Sequence, residues 1–100
     1  MDNKSYHDHF FKKAKSLGYR SRSAFKLVEL NSKFKFLKNH INLLDLGSFP
    51  GSWCQVVTQN IKNAKILGCD KKIVEKIEGV NLFKGDFLDD LIKSKIEVYF

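Results

Sequence analysis

The 100-residue chain is 43% hydrophobic, holds nine Phe and carries a net charge of +7, which suits one small domain with an ordinary core. No apolar run approaches bilayer-crossing length, and the N-terminal MDNKSYHDHF lacks the apolar centre of a secretory signal. Two cysteines, Cys54 and Cys69, are too few for a disulfide framework and read as buried thiols in a reducing compartment.

The charge is one-sided. Residues 1–40 hold ten Lys/Arg against three Asp/Glu, whereas residues 41–100 hold eight of each. Such a block is the electrostatic footprint of a polyanion partner, or else a solvated lysine-rich helical surface. Acidic Asp2 and Asp8, with no Arg before Arg20, argue against a mitochondrial presequence.

In chain order, residues 6–38 read as helical. Ser23 can cap a helix whose Ala24, Leu27 and Val28 share a face at i, i+3, i+4. Lys26 falls away from that stripe, accessible to a bound ligand. INLLDL, 41–46, reads as a buried parallel strand ending in a glycine turn. A helix follows over 52–60, with Ser52 as N-cap and Trp53, Val56 and Val57 at helical spacing. AKILGCD, 64–70, is a second strand ending on a carboxylate. KKIVEKIEG is a turn or short helix. VNLFKGD, 80–86, is a third strand, FLDDLIKS a helix, and IEVYF, 96–100, a fourth strand. Alternation of this kind predicts βαβ units and a parallel α/β sheet. A last strand with no covering helix predicts an N-terminal fragment, or a truncated member, of a larger domain.

The stretch LLDLGSFPGSWCQVV, 43–57, gathers a carboxylate, two of the six glycines, the only Pro and the only Trp. Ligands of open parallel sheets bind at the C-terminal strand ends. There Gly47 and Gly51 permit backbone approaches that a Cβ would block. Asp70, nineteen residues after Gly51, can accept from two ribose hydroxyls. Asp86 is placed to accept from an adenine amine. The bend lacks the G-x-G-x-x-G of dinucleotide enzymes and the GxxxxGK[ST] of triphosphate loops, and Pro50 removes a donor that a pyrophosphate would use. An adenosine ligand without pyrophosphate fits better, S-adenosyl-L-methionine being the common one. The alternative is that the glycines only pack strand against helix.

GYRSRSAFKLVEL (18–30), then LLDLGSFPGSWCQVV, ILGCDKK and GVNLFKGDF, resemble the FtsJ/RrmJ-type RNA ribose 2′-O-methyltransferases from about Tyr6 to Phe100. The specific parts are R-S-R-x-x-x-K-L and D-L-G-x-x-P-G-x-W. Ser48-Phe49 stands where the family has small residues, and Ser52 where it commonly has glycine. The resemblance implies a Rossmann-like methyltransferase fold using S-adenosyl-L-methionine. It implies cofactor contacts from Gly51 and Trp53, ribose binding by Asp70 and adenine binding by Asp86. It matches Lys26 to the first lysine of a Lys-Asp-Lys-Glu catalytic set whose other members would follow residue 100. Residues 1–100 alone are therefore expected to turn over weakly.

The resemblance further implies an enzyme acting on RNA, with large-subunit ribosomal RNA as best-known substrate; a monomer is expected, and the missing signal points to the cytoplasm, with a mitochondrion or other organelle as the alternative. Lys12, Lys13, Lys15, Arg20 and Arg22 would lie along the RNA backbone. Phe10, Phe11 and Tyr19 are stacking candidates, with core packing the stronger reading. Residues 1–40 form the RNA-facing segment and 41–100 the donor-binding part. Alternatives are a non-catalytic RNA-binding module, a small-molecule methyltransferase, and a cytosine-5 enzyme attacking through Cys54, which shows no base partner. His7 and His9 form an H-x-H pair without further ligands, so no metal is expected.

Overall fold

The computed structural model describes residues 3–100, apart from the side chains of residues 3–8 and Phe11. The expectations for the His7 ligand and for Phe11 stacking lie outside the described residues. Two helices, α1 (Asn3–Ser16) and α2 (Ser23–Phe34), lead into β1 (Asn42–Leu46), α3 (Ser52–Asn60), β2 (Lys65–Asp70), β3 (Val80–Lys84) and α4 (Asp90–Tyr99). The three strands form one parallel sheet in the order β1-β2-β3. β2 is central and buries Ile66 to Cys69 without interruption, as a strand paired on both edges and covered on both faces requires. No helix among the described residues is long and apolar enough to cross a membrane.

The core runs through Ala24 and Leu27 of α2, Leu37, Cys54, Val56 and Val57 of α3, Ile66 of β2 and Ile77. The basic N-terminal segment therefore shares its core with the sheet. Phe10 and Tyr19 both pack edge-on or tilted against Phe25, with centroids 5.6 and 5.8 Å away. They are half-buried packing rings.

The helical segment expected over 6–38 is realised as two helices, and three local expectations need correction. Gly18, at φ 83, closes α1: its own N–H donates to Lys15 O at 3.2 Å, and that of Tyr19 to Ala14 O at 2.9 Å. This is a Schellman stop, which needs the left-handed conformation glycine supplies. Val28 is 42% exposed, so the buried stripe of α2 is narrower than its spacing suggested. Neither Ser23 nor Ser52 caps its helix. Arg22 and Gly51 hold the N-cap positions without side-chain cap bonds, because the two serine hydroxyls bond to each other instead, at 2.7 Å.

The fourth strand is absent as well: among the described residues three strands form, not four, and residues 96–99 complete α4. Asp89 caps that helix by accepting the Leu91 N–H at 2.9 Å. Ile92, Ile96 and Tyr99 then fall on one face. Tyr99 Oη donates to Ile66 O on the sheet at 3.3 Å and accepts from Asn81 Nδ2 at 2.7 Å. IEVYF has apolar residues at both strand and helix spacing, so periodicity alone does not choose. Docking of the tyrosine chooses the helix and leaves Val98 87% exposed.

Candidate functional site

The parallel ladder brings three chain segments to one end of the sheet. Backbone N–H groups of Gly47 and Ser48 both donate to Cys69 O, at 2.8 and 3.1 Å, tying the bend after β1 to the tip of β2. The Gly85 N–H donates to Asp70 O at 2.9 Å, tying the tip of β3 to the same point. Lys71 Nζ lies 3.4 Å from Asp86 Oδ2 and bridges the loops that carry the two aspartates.

Asp70 is held at both oxygens. Oδ1 accepts the Lys72 N–H at 2.8 Å and Oδ2 accepts the Phe49 N–H at 3.0 Å. The Lys72 and Phe49 amides hold its pKa below the usual carboxylate range, in that order of importance. Each oxygen keeps a lone pair for a further donor. Asp86 Oδ1 accepts the Leu88 N–H at 2.9 Å. That bond, and next the nearby Lys71, also lower its pKa. The Phe49 ring is half exposed and lies under Lys72 Nζ, 4.9 Å from its centroid.

Beside this edge is a cavity of about 300 Å³ walled by Ser23, Asp45 to Phe49, Ser52 and Trp53. The Trp53 indole N–H donates to Ser23 O at 2.9 Å, joining α3 to α2. Ser21, Ser23 and Ser52 hydroxyls form a triangle with sides of 2.6, 2.7 and 2.8 Å. The Ser48 hydroxyl, in a residue only 5% exposed, finds no hydrogen-bond partner among the described residues. Gly68 of β2 makes room for it, since a Cβ there would come within 3.0 Å of Ser48 Oγ. Asp45 has its pKa raised by burial above all, and further by Asp70. The Cys54 thiol donates to Asp45 Oδ2 at 3.4 Å. Burial and that carboxylate push the Cys54 pKa up to about 12, so it stays a protonated thiol at neutral pH. Full burial of Cys54 and this upward shift both argue against a thiolate nucleophile there.

Arg20 was expected on RNA, but its guanidinium is committed elsewhere. Nη1 donates to Pro50 O at 3.0 Å and Glu75 O at 2.7 Å, and Nη2 to Lys76 O at 2.9 Å. Its backbone N–H donates to Gln55 Oε1 at 2.9 Å. Arg20 thus clasps the bend to the loop between β2 and β3. Gly51, at φ 109, sits behind this clasp. A Cβ there would lie 2.7 Å from Ile77 Cδ1 and 3.0 Å from Arg20 Nη1, which gives the glycine a steric reason of its own.

Of the residues singled out in the sequence, Trp53 walls the cavity and Asp70 joins it through Phe49, whereas Gly51 packs behind the Arg20 clasp and Asp86 reaches only Lys71, the residue next to Asp70. Lys26 is exposed and does not line the cavity. It lies one turn along α2 from Ser23, which does. Sequence reasoning passed over Asp45 and Ser48. Asp45 shares the strand-tip position that singled out Asp70 and Asp86, and that was the available signal. Ser48 is apparent only once its neighbours are placed. Among the described residues no three His, Cys, Asp or Glu come together as a metal site.

Comparison with known proteins agrees with this geometry. The FtsJ-like methyltransferase family profile matches residues 19–100. Ribosomal RNA large subunit methyltransferase E of Pelagibacter ubique is 41% identical over 98 residues, covering 98% of this chain and 48% of that protein. A Caenorhabditis elegans protein named rRNA methyltransferase 2, mitochondrial, is 46% identical over 90 residues, covering 89% of this chain and 42% of that protein. The crystal structure of a Plasmodium falciparum ribosomal RNA methyltransferase superposes with a TM-score of 0.70 at 43% identity, covering 80% of this chain and 48% of that one. The chain spans about half the length of the relatives it matches, or less. With its parallel sheet, glycine bend and strand-tip aspartates, the chain belongs to the FtsJ-like methyltransferase family.

Proposed function

We propose that this chain is the donor-binding portion of an S-adenosyl-L-methionine-dependent RNA ribose 2′-O-methyltransferase, with large-subunit ribosomal RNA as substrate. The observation that carries the reading is Asp70. Two backbone amides fix its carboxylate at a strand tip, yet each oxygen retains an acceptor site for a ribose hydroxyl pair. Asp86, bridged to the same edge by Lys71, would receive the adenine amine. Gly51 and Trp53 would complete the cofactor contacts at the bend.

The cavity beside them suits the rest of such a donor. Asp45, which lines that cavity, can pair with an amino group there. When bound, the donor supplies an electrophilic methyl group. The target hydroxyl is a poor nucleophile at neutral pH, so the chain must orient it and stabilise its developing charge. Lys26, one turn beyond the cavity wall, is the residue assigned to that task as a positive charge. Residues 1–40 are the RNA-facing segment, with Lys12, Lys13, Lys15 and Arg22 on phosphates, and 41–100 the donor-binding part. The names of the relatives support a ribosomal substrate. The cytoplasm is the proposed compartment, and the Caenorhabditis elegans relative's name supports the mitochondrial alternative.

Calorimetry with S-adenosylhomocysteine tests this. The protein should bind it, and Asp70→Ala should weaken binding about tenfold or more, the equivalent of about 1.4 kcal/mol. RNA binding with no affinity for the nucleoside would instead identify a non-catalytic RNA-binding module.

A further inference from the structure

α2 runs out into KFKFLK, residues 33–38. Asn31 locks this exit twice: its backbone O accepts the Lys35 N–H at 2.8 Å, and its Oδ1 accepts the Leu37 N–H at 2.9 Å. Lys35 adopts the left-handed conformation at φ 50, ψ 42, and Leu37 drops into the core. On this fixed backbone the neighbouring rings stay outside. Phe34 is 71% exposed and Phe36 44% exposed. Burying a phenyl ring is among the larger favourable contributions open to a small chain. Two rings held in water on a locked backbone therefore point to a partner.

Charge selects that partner. Lys33, Lys35 and Lys38 interleave with the rings, and no acidic residue occurs between Glu29 and Asp45. None of the three lysines is in an ion pair among the described residues. Lys62 joins the same region, since its backbone bonds to Asn39 Oδ1 and to the His40 N–H, both at 2.9 Å. Alternating cations and aromatic rings suit an unpaired nucleic-acid strand, with phosphates on the ammonium groups and bases on the rings. The platform shares its helix with the candidate site. It lies at one end of α2, whose other end, Ser23, walls the cavity, and a helix of this length spans about 18 Å.

We infer that Phe34 and Phe36, with Lys33, Lys35 and Lys38, form a stacking platform for unpaired RNA bases flanking the target nucleotide. The inference rests on the RNA substrate proposed above.

Fluorescence anisotropy with a labelled single-stranded RNA oligonucleotide, and with a blunt duplex of the same sequence, tests it. The F34A/F36A variant should lose about tenfold or more in single-strand affinity. Its duplex affinity should change by less than about twofold, because paired bases offer no face for stacking. F34W/F36W should restore single-strand binding. The K33Q/K35Q/K38Q variant should flatten the salt dependence by about 0.7 in slope per lysine, which F34A/F36A should leave intact. Unchanged single-strand affinity in F34A/F36A, or an equal loss on duplex, overturns the platform. So does loss of binding to phosphatidylglycerol vesicles with RNA affinity retained, which would mark a lipid contact. S-adenosylhomocysteine binding by F34A/F36A should equal that of the parent. A parent that fails to bind the nucleoside would instead sink the donor reading, independently of the platform.

Discussion

Asp45 and Asp70 sit in neighbouring strands and are perturbed in opposite directions. Asp70 gains two amide donors and is lowered; Asp45 loses water and is raised. For Asp70 the folded value lies under the unfolded one. Its contribution is fully present above the ordinary carboxylate range and disappears as pH falls through the folded value. Acid titration followed by circular dichroism should show this limb, and Asp70→Asn should flatten it. For Asp45 the native state holds the proton more tightly than the unfolded state, so stability declines as pH rises from the unfolded value through the folded one. Asp45→Asn should remove that decline and raise Tm at pH 7, where about 1 kcal/mol corresponds to ~4–8 °C in a domain of this size. The same change should weaken S-adenosylhomocysteine binding. A lower Tm with unchanged binding would remove Asp45 from the site.

At the level of elements, Arg20 and Tyr99 make contacts that their local sequence does not announce. Arg20 joins the bend to Glu75 and Lys76 across 55 and 56 residues. Arg20→Ala leaves three carbonyls without their donor and should cost about 2 kcal/mol in urea unfolding. Arg20→Lys should recover only part of this, because an ammonium cannot reproduce the planar fork. The assignment of 96–99 to helix has its own test. Val98→Asp should shift stability by less than about 0.5 kcal/mol, as an exposed helix position allows. Tyr99→Phe removes hydrogen bonds to Ile66 and Asn81 and should cost about 1 kcal/mol. A severe loss from Val98→Asp would favour the strand.

Across the whole molecule, the net positive charge is confined to residues 1–40, yet Ala24 and Leu27 from that segment share the core with Val57 and Ile66. The basic surface is thus fastened to the candidate cleft. RNA affinity should fall with salt, each neutralised phosphate adding about 0.7 to the slope for a single strand. A flat response would remove the basic block from the account.

The three strands, the glycine bend between β1 and α3, and the aspartates at the strand tips were legible in the sequence. Each is written in contiguous residues, as an apolar run closed by glycine or carboxylate, and a parallel ladder aligns such tips automatically. Tertiary structure alone decided the fate of IEVYF, the cap positions of α2 and α3, the duty of Arg20 and the burial of Ser48. The reason is distance along the chain: Ile66 captures Tyr99, Ser52 engages Ser23, and Gly68 leaves space for Ser48. No local pattern records which remote group will satisfy a hydroxyl or a guanidinium.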